Sequence, residues 1–472
     1  MTRQIVLFLM IFLCAVTVQA EPLYSKVVAR HFFFFLGMPG RPGADMIPTE
    51  NTFICDQLRC NGLRTGQVPF SGPSLVATET CIIQEKSVAA PFFVYEDNRF
   101  FHVISNRGEL WQFNYRMQLR GRFKNARFPA LEGLRIQDDK YLFVGNQEIS
   151  MRQTLGNILW RNVYAPPVLW FPPLRVNDQT VIVHGNVQGY VSGLLLKSQW
   201  KWGGIMRVLH VLSGKTLLDV PVRGVYQAQR FPLLTVLQNQ KVILPTPNGE
   251  LLAFSLYDLL KKKNRVLWQR LVPGRGVLLS LTGDPLAPRV YVARVGIRGE
   301  KNISAIHTDT GAILWSVSSD TISTPLALYD NMIVFGTQSG RIVALHTTDG
   351  KIAMNMAPTL SLKPDKETRI VAISEPVVDS LGRVYMAFAA VTLNLASKLA
   401  SNQSMEHESL DDTIESEVVG IQIHGQKQIY RSARFQINDL RLGKLLLGME
   451  TVGLFTRSDR MHFCVSDNTD TP

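Results

Sequence analysis

Long apolar runs are almost absent from this chain, and the one that exists lies at its start, which excludes a multispan membrane protein. Cysteine is scarce, with five in 472 residues, and no Cys/His spacing resembles a zinc site. Charged residues make up only 19%, and the 50 Lys+Arg against 38 Asp+Glu leave a net charge of +12, a basic surface that favours anionic partners without naming one. No nucleophile elbow is present, nor any local Ser/His/Asp or Cys/His catalytic set, so no residue is assigned a catalytic role. What is there, 46% hydrophobic residues with 34 Gly and 24 Pro, is globular and excludes wholesale disorder and collagen. The length allows two to four compact units or one large repetitive one.

Residues 1–20 carry a basic start at Arg3, an apolar run from Ile5 to Val16, and small residues Val18 and Ala20. This is the pattern of a secretory signal peptide cut after Ala20, and it predicts a periplasmic or secreted protein. Cys14 sits inside the apolar run without the small residues of a lipoprotein box, so no lipid anchor is expected. Cleavage leaves Cys55, Cys60, Cys81 and Cys464, an even number in a chain sent to an oxidising compartment. Three pairings are open, beside the alternative of four reduced thiols. If Cys55 and Cys60 staple a small loop, Cys81 is left to meet Cys464 across almost the whole chain.

Self-similarity is the most informative feature. Ile303–Trp315 (ISAIHTDTGAILW) aligns without a gap on Ile342–Met354 (IVALHTTDGKIAM), 39 residues on. Gly311 and Gly350 mark the turn in each, and partial copies end at Trp160 and Trp268, as the first ends at Trp315. A second signature, an apolar run, a polar turn with glycine and a further apolar run, recurs around Gly108, Gly189, Gly249 and Gly340. Such a pattern is a β-hairpin, and glycine fits a tight connection that needs positive φ. A sheet-forming unit of about 40 to 45 residues predicts an all-β chain folded as a β-propeller of seven or eight four-stranded blades, eight preferred. The ring is expected over 76–468, after an irregular N-terminal extension at 21–75 and with an acidic loop inserted at about 392–417.

His210, His307 and His346 stand four residues before the turn glycines. A metal ring or a pH switch would be the sharp reading, but equivalent places in separate blades lie far apart, so each is expected to bond within its own hairpin. Trp160, Trp268 and Trp315 are expected to fill the seams between blades. The acidic loop, with Glu406, Glu408, Asp411, Asp412, Glu415 and Glu417, lacks the glycine-punctuated spacing of a calcium loop. Two basic clusters, Arg116, Arg120, Arg122, Lys124 and Arg127, then Lys261, Lys262, Lys263, Arg265 and Arg270, are read as blade edges guarded against strand association. Such edges could also face an acidic protein or an anionic surface, while nucleic acid is not expected for an exported chain.

The run Thr324–Leu345, followed by Gly350, and the opening Ser374–Met386 resemble the repeat of the pyrroloquinoline-quinone-like propellers. Within them the chain resembles the outer-membrane assembly propellers that support the β-barrel insertion machinery. The resemblance implies a non-catalytic exported scaffold, without cofactor, that engages another envelope protein as a monomer within a larger complex. The alternative it raises is a quinone- and calcium-dependent dehydrogenase with the cofactor at the ring centre. Those enzymes carry an adjacent-cysteine disulfide, and this chain has no Cys-Cys dipeptide.

Overall fold

The computed structural model describes Gln67 and, between Glu79 and Ser466, the strands with many of their connections; the longest stretches outside it are 1–66, 68–78, 189–201 and 394–413. The chain divides into Met1–Met46 and Ile47–Pro472. The first unit, with the signal segment, lies outside the described residues, as do Cys55, Cys60, Gly108, Gly189 and all of the extension except Gln67.

The described part of the second unit is all-β apart from one short helix, Leu256–Leu260. It holds eight sheets, six of four strands, one of five and one of six, one for each blade of a β-propeller. The sixth blade shows why these residues form such sheets. Ala327–Tyr329, Met332–Gly336, Ile342–His346 and Ile352–Met356 pair antiparallel in chain order. The first connection is the two residues Asp330 and Asn331, and Asp330 takes a φ of 50° to make it. The second turns at Gly340, φ 70°, a conformation in which a side chain is strained.

The inner strands are the most buried and the last strand of a blade is largely exposed or half-buried, as in Ile158–Val163 and Val266–Leu271. Met332–Gly336 and Leu278–Gly283 are buried along their full length, because both faces of a blade are covered by its neighbours. Neighbouring sheets meet through their leading strands, as where Val236–Gln238 contacts both Leu174–Asn177 and Leu278–Gly283. The apolar clusters therefore lie between sheets, and one of them joins Phe171, Met206, Phe254 and Ile306 across the third, fourth and fifth blades. In seven blades the pairing of the third strand with the fourth shifts register beside its turn, as at Ala305/Ile306 and Ala344/Leu345. An extra residue at this place bends and twists the outer strand.

Two blades depart from the pattern. In the third, Thr180–Gln188 pairs with Trp202–His210, so the hairpin does not turn at Gly189 onto 190–194 as the sequence pattern predicts. The strand pairs on to its last residue, and thirteen residues intervene before its partner. In the seventh, Arg383–Thr392 pairs with Ile414–Gln422 around the inserted segment, which places Glu415 and Glu417 in a strand, whereas Glu406, Glu408, Asp411 and Asp412 lie outside the described residues. The last blade is built from both ends of the chain. Lys444–Leu447, Thr451–Phe455 and Arg460–Ser466 pair in order, and the N-terminal strand Glu79–Glu85 adds as the fourth.

Candidate interaction surface

Each turn histidine heads a hairpin of the same geometry. The amide of Gly214, Gly311 or Gly350 donates to the carbonyl of His210, His307 or His346 at 2.8–2.9 Å. The imidazoles stay local: His210 Nδ1 lies 2.9 Å from Ser213 Oγ, and the Asp309 amide donates to His307 Nδ1 at 3.1 Å. The tryptophans reach across to these turns from the blade before. Trp160, Trp268 and Trp315 donate through Nε1 to the carbonyls of Val211, Thr308 and Thr347, in each case the residue after the histidine, at 2.5, 2.8 and 2.9 Å. The turn glycine lies against the indole: a Cβ on Gly311 or Gly350 would come within 2.8 Å of the ring of Trp268 or Trp315. Glycine is thus required twice over, by φ values of 68° and 72° and by the ring.

The other turn glycines also meet the next blade. Gly249, φ 79°, lies under the guanidinium of Arg294, whose Nη2 donates to the Gly249 carbonyl and Nη1 to that of Gly276, both at 2.6 Å. Arg294 is buried, and burial lowers its pKa. Gly340 packs on Ile370. A pattern missed in the sequence is Asp-x-Leu followed by Arg-Val-Tyr. Asp284 accepts from the amide of Leu286 and from the Tyr291 hydroxyl, and Asp379 accepts from the amides of Leu381 and Arg383. Arg289 and Arg383 pair with these carboxylates at 2.9 and 2.5 Å. Its legible signal was the repeat of Asp284, Leu286, Arg289-Val-Tyr in Asp379, Leu381, Arg383-Val-Tyr, obscured by one extra residue in the first turn. These groups close turns.

The outward surface differs from the seams. The fourth blade ends in Val266–Leu271, which pairs with Glu250–Ser255 on one edge and takes no further strand on the other among the described residues. Trp268 is drawn inward by Thr308, and Arg270 Nε donates to the Gly311 carbonyl at 2.7 Å, so Val266, Leu267 and Leu271 are left exposed, Leu271 by 62%. Immediately before this strand stands the helix Leu256–Leu260, capped by Ser255 and anchored by buried Leu256 and Leu259. Tyr257, with 62% exposure, carries the Lys261 ammonium 4.1 Å from its ring centroid. Lys261, Lys262, Lys263 and Arg265 follow, all exposed. The second basic cluster thus lies on a blade edge, mixed with exposed apolar side chains. In the first cluster Arg120, Arg122 and Lys124 lie on Leu119–Lys124, the last strand of the first blade. Outer strands of three other blades repeat the apolar exposure, at Ile158, Leu159 and Val163, at Ile313 and Leu314, and at Ile352. Chemically such an edge offers backbone donors and acceptors to an added strand, flanked by apolar contacts and positive charge.

Among the described residues no three of His, Cys, Asp and Glu come together as metal ligands. No helix of the described residues is long and apolar enough to cross a membrane.

Eight radially packed antiparallel sheets define the chain as a β-propeller. Within that class it belongs to the pyrroloquinoline-quinone-like repeat family described as outer membrane protein assembly factor BamB, whose profile matches residues 102–355 and 234–433. Among solved structures it is similar to BamB from Moraxella catarrhalis, at 13% identity and a TM-score of 0.50 over 83% of this chain and 100% of that one. It is similar also to the C-terminal WD40 domain of Sif2 (10% identity, TM-score 0.53, 83% and 99% covered) and to Saccharomyces cerevisiae Sqt1 (9%, 0.52, 84% and 100%). At these identities the likeness is one of fold. No curated protein matches the chain.

Proposed function

We propose that this protein is a non-catalytic scaffold of the cell envelope that holds a partner protein during outer-membrane protein assembly. Membership of the assembly-factor family supports the process. The outer strand of the fourth blade, whose far edge takes no further strand among the described residues, supports the mode: an extended, acidic segment of the partner adds to Val266–Leu271, contacts Leu267 and Leu271, and meets the charges of Lys262, Lys263 and Arg265. The exported location rests on the signal sequence at 1–20.

The test is capture from envelope extracts with the tagged full chain and with a Leu267→Glu/Leu271→Glu variant. Both positions are exposed, so the variant is expected to melt with the wild type, within about 0.5 kcal/mol per site. The wild type should retain an envelope protein at low salt and less of it at moderate salt, and the variant should lose it. Capture of nothing at either salt, or equal capture by both proteins, would overturn the proposal. On this non-catalytic reading, quinone with calcium is expected to leave the melting temperature unchanged.

A further inference from the structure

The pairing of the last blade carries an inference that is independent of the binding role. Glu79–Glu85 runs antiparallel to Arg460–Ser466 in unbroken register, from Glu79 opposite Ser466 to Glu85 opposite Arg460, and Cys81 stands directly opposite Cys464. On its other side Cys464 faces Val452. Directly opposed residues of an antiparallel pair have Cα atoms about 4.5 to 5.5 Å apart, and a disulfide spans Cα separations of about 4.4 to 6.8 Å. Two of the chain's five cysteines, one near each end of the propeller, therefore stand opposite each other at a cross-strand position of the spacing a disulfide spans.

We propose that Cys81 and Cys464 form a disulfide that latches the ring shut. The strand Glu79–Glu85 is the outermost of its sheet, so within it the ladder to Arg460–Ser466 alone joins the chain's first strand to its last blade. Such an edge strand frays first, and a covalent bond in the middle of the ladder prevents its departure. The oxidant is a small or protein disulfide of the oxidising compartment into which the chain is exported. One cysteine thiolate attacks it, releasing one thiol and leaving a mixed disulfide; the second thiolate attacks that bond and releases the second thiol. Two electrons pass to the oxidant, and the two cysteine protons end on the released thiols.

The experiment uses the purified full chain in a glutathione redox buffer, with free thiols then blocked by N-ethylmaleimide and the protein digested for mass spectrometry. A peptide pair joining Cys81 to Cys464, lost on reduction, is expected. In a Cys55→Ser/Cys60→Ser background, reduction should lower the melting temperature by several degrees, and a further Cys81→Ser change should abolish that difference. Folded protein in which Cys81 is alkylated, or is linked to Cys55 or Cys60, would overturn the proposal. The peptide map needs no variant, so it decides even where a substitution prevents folding. Because it is made in glutathione buffer, it also stands or falls apart from the partner-capture experiment.

Discussion

Gly311 is held by two independent constraints that a double-mutant cycle separates. Its φ of 68° costs a residue with a side chain about 1 kcal/mol, and the added Cβ would press on the Trp268 ring at 2.8 Å. Gly311→Ala alone is expected to cost about 2–3 kcal/mol by these two effects together. Trp268→Ala removes a half-buried indole and its hydrogen bond to Thr308, and is expected to cost about 3 kcal/mol. In the Trp268→Ala background the ring is gone, so Gly311→Ala should cost only the backbone term of about 1 kcal/mol. Urea midpoints of the four proteins give the coupling, and strict additivity would mean that the two residues do not act as one contact. The residue types of this contact were legible, because His307 and Gly311 recur at His346 and Gly350, and Trp160 and Trp268 end partial copies as Trp315 ends the first. That Trp268 belongs to the turn of the following blade was not, since one copy's tail meeting the next copy's turn is a fact of packing between sheets, and spacing within a copy does not record it.

At the scale of the strand, hairpins with short turns were legible and those with inserted turns were not. Met332–Gly336 with Ile342–His346, and Lys241–Pro245 with Glu250–Ser255, turn where glycine and the apolar runs place them. Gly189 failed as a turn marker because Val191 and Leu194–Leu196 offer an equally apolar run, and only long-range pairing selects Trp202–His210 over it. The outer strands carry the opposite lesson. Val266–Leu271, preceded by Arg265 and carrying Arg270, reads as a blade edge, and most of it is exposed, because the last strand of the blade takes no neighbour beyond it among the described residues. An exposed edge of this kind has a measurable consequence beyond partner capture. A synthetic acidic peptide of alternating apolar and acidic residues should bind the wild type with an affinity that falls as salt rises, and Lys262→Glu/Lys263→Glu should weaken it at least tenfold while leaving melting unchanged. Equal binding of the charge-reversed protein would leave the edge without its electrostatic component.

The stability of the whole ring in acid is set in part by two carboxyls that pull in opposite directions. In the second blade, burial alone would raise the pKa of Glu148, but hydrogen bonding from Ser150 and Arg152 and the charges of Arg152 and Arg161 hold it below the ordinary 4.5. The folded state therefore binds its proton less readily than the unfolded chain, and the stabilisation present above pH 4.5 is lost as pH falls through the lowered value. In the seventh blade, burial raises the pKa of Glu417 despite the donated Ser361 amide and nearby Arg431 and Arg434. Here the folded state holds its proton more readily, so the contribution is largest below 4.5 and is lost as pH rises through the raised value. Glu148→Gln, which leaves Arg152 without its partner in a buried pair, is expected to cost about 3 kcal/mol at pH 7, with the deficit shrinking below pH 4.5. Glu417→Gln should track the wild type below pH 4.5 and melt above it at neutral pH. Melting curves of the three proteins between pH 3 and 8 decide the matter. Parallel shifts at every pH would mean that the two substitutions act through shape and packing, with neither carboxyl's proton linked to the folding of the ring.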